Sequence, residues 1–232
     1  MPRHLQRDLE RLKKEILTVG SMVEEATDKA ILALMNRRPE LAREVIEGDE
    51  AIDAKEVEVE EQCLKILALH QPVAVDLRFI VAVMKVNNDL ERMGDLAVNI
   101  AERAAFLATN EPIGVLLSFK KMVDAVRAMV HQSLDALVNL DPALARNVLQ
   151  RDDEVDEINR EMFEVLQQLM HDDHATIERA VHTLSSSRNL ERIADHATNI
   201  AEDVIFMIEG DVIRHGRPGR PVTRNAGKTR SR

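Results

Sequence analysis

The chain has 232 residues, of which 45% are hydrophobic and 31% charged, and its formal net charge at pH 7 is −10. It contains no Trp, no Tyr and five Phe, whereas helix formers such as Leu, Ala, Glu and Arg are abundant, and this favours helices over strands. Residues 211–232 hold seven Lys or Arg and one acid, so residues 1–210 carry a net charge of −16. Such an acidic body repels nucleic-acid phosphates and argues against nucleic acid as a partner.

Six long helical segments are predicted, in chain order, from the prolines and polar residues that interrupt the helical pattern. The breaks fall at residues 37–39, 70–72, 109–112, 141–142 and 171–174. Proline suits the first turn of a helix, and Asn110 and Asp141 stand shortly before such prolines, so both are predicted to cap the helices that follow. Long helices joined by short turns must pack antiparallel, as in a bundle.

The two halves of the chain repeat one another. Residues 90–102 read LERMGDLAVNIAE and residues 190–202 read LERIADHATNIAE, with nine of thirteen positions identical at an offset of 100. Matches in the preceding helices have offsets of 103 and 107, so the first helix is expected to be one turn longer in the first half. The repeat predicts an all-α protein of two tandem, pseudo-symmetric three-helix bundles, with six long antiparallel helices.

These patterns divide the chain into a first repeat at residues 1–109, a second repeat at residues 110–210 and a basic tail at residues 211–232. The tail is rich in Gly, Pro and Arg and has little to bury, so we expect it to be disordered. Two roles remain open for it: a solvated end, or a contact with acidic lipid or an acidic partner.

Compartment follows from three absences. No apolar run approaches the ~18 residues that cross a bilayer, and the charged first residues lack the apolar core of a signal peptide. The single cysteine, Cys63, permits no internal disulfide and fits a reducing compartment. We therefore expect a cytoplasmic protein without direct membrane insertion.

An acidic stripe recurs on the third helix of each half. At 100° per residue its four members fall within an arc of about 80°, opposite the apolar residues of the same helix. We expect the stripe to face solvent, the neighbouring half or a partner rather than its own core. Its members are Glu91, Asp95, Asn99 and Glu102, repeated as Glu191, Asp195, Asn199 and Glu202.

The other helices carry further pairs at i,i+4, where two like charges destabilise a helix by roughly 0.2–0.5 kcal/mol. A bound cation would reverse that cost, and oxygen ligands with an occasional imidazole suit Fe, Mn, Mg or, less well, Zn. The alternatives are a solvated acidic face, partly neutralised by Arg92 and Arg192, and a face that docks a partner. The pairs are Asp49/Asp53, Asp152/Asp156, Glu24/Asp28 and His131/Asp135.

Catalytic motifs are absent from the sequence. No Glu-x-x-His spacing is shared by the two halves, which disfavours a buried di-iron site. There is no phosphate-cradling Gly-rich loop and no Cys-x-x-Cys pair, and Cys63 has no recurring His that could activate it, so it is predicted to be a core residue. The abundant Met is predicted to fill the core. We expect a protein that is not an enzyme.

The motifs ERMGD at residues 91–95 and ERIAD at residues 191–195, each followed by Asn-Ile-Ala-Glu after an interval of three residues, resemble the twin E(D)-x-x-x-D motifs of the PhoU family. The resemblance covers about residues 5–210. It implies a cytoplasmic negative regulator of phosphate uptake and starvation signalling, an adaptor between the ATPase subunit of a phosphate ABC importer and a membrane sensor histidine kinase. It also implies self-association, with a homodimer expected.

The same resemblance implies metal ions on the acidic faces, although none is expected to be essential. The first candidate ligands are Glu91, Asp95, Glu191 and Asp195. His131 stands where the first repeat has Glu24, which leaves room for different metal preferences. Two other functions remain open: a metal-dependent enzyme that uses carboxylate clusters, and a structural oligomerisation module. The remaining candidate ligands are Asp49, Asp53, Asp152, Asp156, Glu24, Asp28, His131 and Asp135.

Overall fold

The computed structural model describes residues 3–113 and 116–210. Within these ranges it contains six long helices, one 3-10 turn at His174–Thr176 and no strand, so the predicted all-α fold is confirmed. The expected disorder of the basic tail concerns residues outside the described part. The helices are α1 Arg3–Asn36, α2 Pro39–His70, α3 Ala74–Thr109, α4 Leu116–Asn139, α5 Pro142–Asp172 and α6 Ile177–Glu209.

Each repeat folds as a triplet of helices, α1–α3 and α4–α6, in which every helix packs against the other two. The triplets meet mainly through α3 and α6, with a smaller contact between α1 and α4. Lys85 near the start of α3 pairs with Asp203 near the end of α6, and Phe106 near the end of α3 stacks on His182 near the start of α6. The two third helices therefore run antiparallel along the seam between the repeats.

The turns between helices confirm part of the predicted capping. Pro39 and Pro142 are the first residues of α2 and α5. Asp141 caps α5, because its side chain accepts hydrogen bonds from the backbone N–H groups of Ala143 and Leu144 at 2.9 and 3.1 Å. The prediction for Asn110 was wrong. It ends α3, and its side chain donates to the Phe106 carbonyl, since α4 begins only at Leu116.

The difference in length between the first helices is also confirmed. α1 continues beyond Asp28 to Asn36, whereas α4 continues beyond the equivalent Asp135 only to Asn139. The difference of four residues is about one helical turn. It places the α1–α2 turn one turn further from the matched residues than its counterpart.

One hydrophobic core runs through both triplets and takes in the apolar side of α3. Met122, Met129 and Met162 are fully buried, as expected of core-filling methionines. Cys63 is also fully buried, and burial raises the pKa of its thiol to about 12, so it is a core residue and not a nucleophile. Among the described helices, none is both long and apolar enough to cross a membrane.

Candidate functional site

A first acidic face lies where α2 packs against α3. It consists of Asp49, Asp53 and Glu56 on α2 with Glu91 and Asp95 on α3. Asp53 and Asp95 are exposed, and the other three are half-buried. The face forms because the buried side of α3 brings Gly94 against α2, so a side chain at Gly94 would lie 3.9 Å from the Asp49 carboxylate. The predicted outward position of the Glu91 and Asp95 stripe is confirmed.

Uncompensated negative charge characterises this face. Partial burial raises the pKa of Asp49, and the neighbouring charges of Asp53 and Asp95 raise it further. Burial and then Asp95 raise the pKa of Glu91, against a smaller opposing effect of Arg92. Among the described residues no ion pair joins any of the five carboxylates to a basic side chain. The face thus carries a field that favours a cation or a basic partner.

A second acidic face occupies the equivalent position on α5 and α6, and consists of Asp152, Asp156, Glu191 and Asp195. Partial burial, followed by the charges of Asp156 and Asp195, raises the pKa of Asp152 from 3.8 to about 6. Burial against neighbouring protein atoms, followed by Glu191, also raises the pKa of Asp195, although part of its carboxylate remains in contact with solvent. Both copies of the repeat therefore build the same electrostatic feature.

Each face ends at a hydrogen bond between its two helices that sequence reasoning missed. In the first face Asn87 donates to the Glu56 carboxylate at 3.0 Å and to the Glu56 carbonyl at 2.9 Å. In the second, Ser187 donates to the side-chain oxygen of Asn159 at 2.7 Å. These pairs occupy matching places in the repeat, at offsets of 100 and 103, so the register of the repeat was a signal that could have found them.

The third group of predicted ligands lies elsewhere. Glu24 and Asp28 on α1 meet His131 and Arg127 on α4, across the smaller contact between the triplets. Arg127 donates to both carboxylate oxygens of Asp28 at 2.7 and 3.0 Å, and His131 lies 2.7 Å from Glu24 and 3.4 Å from Asp135. The structure thus gathers these residues into one network with its own basic partner, rather than into one site per repeat.

The seam between α3 and α6 holds a further polar network that was not predicted. Asp89 of α3 lies 2.8 Å from His196 and 3.1 Å from Asn199 of α6, and Lys85 donates to Asp203 at 2.8 Å. Asn199 belongs to the predicted stripe, so this part of the stripe faces the neighbouring repeat. A solvent-open cleft of about 480 Å³ lies beside these residues.

The donor set of the two faces fits hard cations, because carboxylate oxygens are the ligands that Mg, Mn and Fe prefer. The raised pKa values of Asp49, Glu91, Asp152 and Asp195 have the direction expected where like charges approach without a counter-ion. In the described ranges no three acidic, His or Cys side chains already converge closely enough to hold an ion. A metal would therefore require side-chain rotation on the helix pair.

Fold and faces together define a class: a duplicated six-helix protein with one acidic face per repeat. Comparison with known proteins agrees with this class. The PhoU domain model matches residues 16–104 and, a second time, residues 119–204. The chain belongs to the PhoU family.

Relatives of the whole chain carry the same family name. The phosphate-specific transport system accessory protein PhoU homolog of Aquifex aeolicus is 42% identical over 211 residues, which cover 91% of this chain and 96% of that protein. Its homolog in Caulobacter vibrioides is 39% identical over 212 residues, with coverage of 91% and 92%. The match extends over the six helices of both repeats.

Solved structures give the same result. The crystal structure of PhoU from Pseudomonas aeruginosa superimposes with a TM-score of 0.86 at 36% identity, and covers 89% of this chain and 99% of that chain. The phosphate transport system regulatory protein PhoU from Streptococcus pneumoniae superimposes with a TM-score of 0.83 at 29% identity, with coverage of 90% and 98%.

Proposed function

We propose that this protein is a negative regulator of phosphate uptake and phosphate-starvation signalling, and that it acts in the cytoplasm as an adaptor, not as an enzyme. Its relatives are named accessory proteins of a phosphate-specific transport system, and a structural neighbour is named a regulatory protein of phosphate transport. In this proposal the chain links the ATPase subunit of a phosphate ABC importer to a membrane sensor histidine kinase.

The observation that carries the proposal is the pair of exposed acidic faces on equivalent helices of the two repeats. A chain with two similar surfaces can hold two partners at once, which is what an adaptor requires. Because the carboxylates of Asp95 and Asp195 have no ion-pair partner among the described residues, basic groups on a partner would meet little competition. Charge of this kind sets the choice of partner and the rate of association more than the affinity.

A direct test is a pull-down with the purified ATPase subunit and the cytoplasmic part of the kinase, at low and at physiological salt, with and without MnCl₂. We expect binding to at least one of them, weakened by salt. The double variant Asp95→Asn/Asp195→Asn should bind less, whereas Glu47→Gln/Glu154→Gln, which removes two exposed acids outside the faces, should bind as the wild type does. Failure to bind either protein under every condition would count against the adaptor.

The cellular test is a deletion strain that carries a reporter of phosphate-starvation genes. A negative regulator predicts reporter expression even at high phosphate, and repression after the gene is restored. A deletion strain that still represses the reporter at high phosphate would contradict the proposed role.

A second proposal, that the faces bind Fe, Mn, Mg or Zn, is supported by the carboxylate fields described above. The metal would neutralise each face and could shape it for a partner. If metal-loaded protein turned over a substrate, the enzymatic alternative would replace the adaptor. Association into a homodimer is proposed from the resemblance alone, and light scattering at several concentrations tests it.

A further inference from the structure

The end of α6 gives residues 211–232 a route to the second acidic face. Gly210 closes α6 in the left-handed conformation, with φ of 78°, and its N–H donates to the Phe206 carbonyl at 2.9 Å. A left-handed C-cap of this kind ends the helix and turns the chain away from its axis. The guanidinium of Arg78 occupies the space where a side chain at this position would lie, so only Gly fits here.

Charge complements this route. Residues 211–232 contain seven basic residues and one acid, whereas Asp152, Asp156, Glu191 and Asp195 form no ion pair within the described part of the chain. Arg188 and Arg192 act on Glu191 only through their longer-range fields. Guanidinium groups bind carboxylates through two parallel hydrogen bonds, which makes Arg the suitable counter-charge for such a row.

Distance permits the contact. Asp195 lies fifteen residues before Gly210 on α6, which is about 22 Å along the helix axis. An extended chain covers this distance in about seven residues. Arg217, Arg220 and Arg224 follow at and just beyond that length, so these three side chains can reach the face while the chain follows α6 without crossing the seam to the other repeat.

We propose that the basic segment 211–232 docks in cis on the second acidic face, through Arg217, Arg220 and Arg224, and competes there with cations and with basic partners. A single exposed ion pair contributes little. Tethering, however, keeps the arginines at a high effective concentration, and several weak pairs act together. The first acidic face lies on other helices and stays open, so the two nearly equivalent faces would differ in accessibility.

The proposal can be tested in the full-length chain with a nitroxide label at Ala226→Cys. Cys63 is fully buried and the pKa of its thiol is about 12, so it does not compete for the label at neutral pH. Paramagnetic broadening of backbone amide signals then reports which surface the segment visits. We expect loss of signal intensity around Asp156 and Asp195 at low salt, and recovery in about 0.5 M NaCl, where charges are screened within a few ångströms.

Two matched variants separate a specific contact from a general one. Asp156→Asn/Asp195→Asn should restore the lost signals, and so should Arg217→Gln/Arg220→Gln/Arg224→Gln, whereas Asp53→Asn/Asp95→Asn on the first face should leave the broadening unchanged. Absence of broadening at low salt, equal broadening at both faces, or broadening that survives the second-face variant would overturn the proposal. None of these outcomes depends on the chain's role in phosphate regulation.

Discussion

Asp195 on α6 is one of the charges that hold the pKa of Asp152 on α5 at about 6. The two carboxylates belong to different helices and neither forms an ion pair among the described residues. Packing that brings α5 and α6 together therefore forces a like-charge contact that an unfolded chain does not have. The fold accepts this cost at equivalent places in both repeats, which is typical of a surface that serves binding.

The first prediction concerns pH. Because the pKa of Asp152 is higher in the folded chain than its model value of 3.8, the folded state binds more protons between about pH 4 and 6, and this group loses stability for the fold as pH rises through that window. Asp152→Asn should therefore raise the free energy of unfolding at pH 7 and remove this part of the pH dependence.

The size of this effect follows from the shift. A change in pKa from 3.8 to about 6 corresponds to about 3 kcal/mol, and partial contact with solvent reduces the expected gain to about 1 kcal/mol. Urea unfolding at pH 5 and pH 7 measures it. Glu154→Gln, an exposed acid that does not act on Asp152, is the control and should change little. A loss of stability in Asp152→Asn at pH 7 would show that the carboxylate is satisfied.

The second prediction uses the repeat as a guide. Gly94 on α3 corresponds to Ala194 on α6, and a Cβ at Gly94 would meet Ile52 at 3.5 Å, an ordinary van der Waals distance. Gly94→Ala should raise the free energy of unfolding by about 0.5–1 kcal/mol, because Ala favours the helix. Gly20→Ala is the matched comparison. Its Cβ would lie 2.9 Å from Leu134, which must move, so the gain should be smaller or reversed.

The third prediction concerns the seam between the repeats. Asp89 accepts from His196 and Asn199 in a largely buried position. Asp89→Ala leaves both groups without this acceptor and should cost about 1–3 kcal/mol in urea unfolding. Asp89→Asn keeps an acceptor oxygen and should cost less. Equal stability of wild type and Asp89→Ala would mean that the network contributes nothing to holding the repeats together.

The fourth prediction tests the faces as cation sites. Because a ligand stabilises the state that binds it, MnCl₂ at a hundredfold excess over its dissociation constant should add about 2.7 kcal/mol per site and raise the midpoint of thermal unfolding. Asp95→Asn/Asp195→Asn should abolish most of this rise. Glu47→Gln/Glu154→Gln, with the same loss of charge, should preserve it. A rise of equal size in all three proteins would place the ion elsewhere.

Most of the fold could be predicted from the sequence, because the repeated pattern and its offsets carry the helix count and the extra turn of α1. The position of Asn110 could not. A proline preceded by a capping residue normally starts a helix, yet Pro112 is followed by further residues before α4 begins at Leu116. Local pattern marks a break but does not fix which side of the break a polar residue serves.

Part of the site was also within reach of the sequence. The outward position of Asp95 and Asp195 follows from helical periodicity alone. What periodicity cannot supply is which helix lies opposite. For this reason Glu24 and His131, expected in separate repeats' sites, turned out to face each other at 2.7 Å across the α1–α4 contact. Buried polar pairs such as Asp89 and His196 depend on the same tertiary information.

The most direct test of the central claim is to restore the gene in the deletion strain with Asp95→Asn/Asp195→Asn, beside Glu47→Gln/Glu154→Gln, at equal and verified protein levels. The starvation reporter is then read at high phosphate. If the acidic faces perform the regulation, the face variant leaves the reporter active and the control variant represses it. Full repression by the face variant would contradict this account.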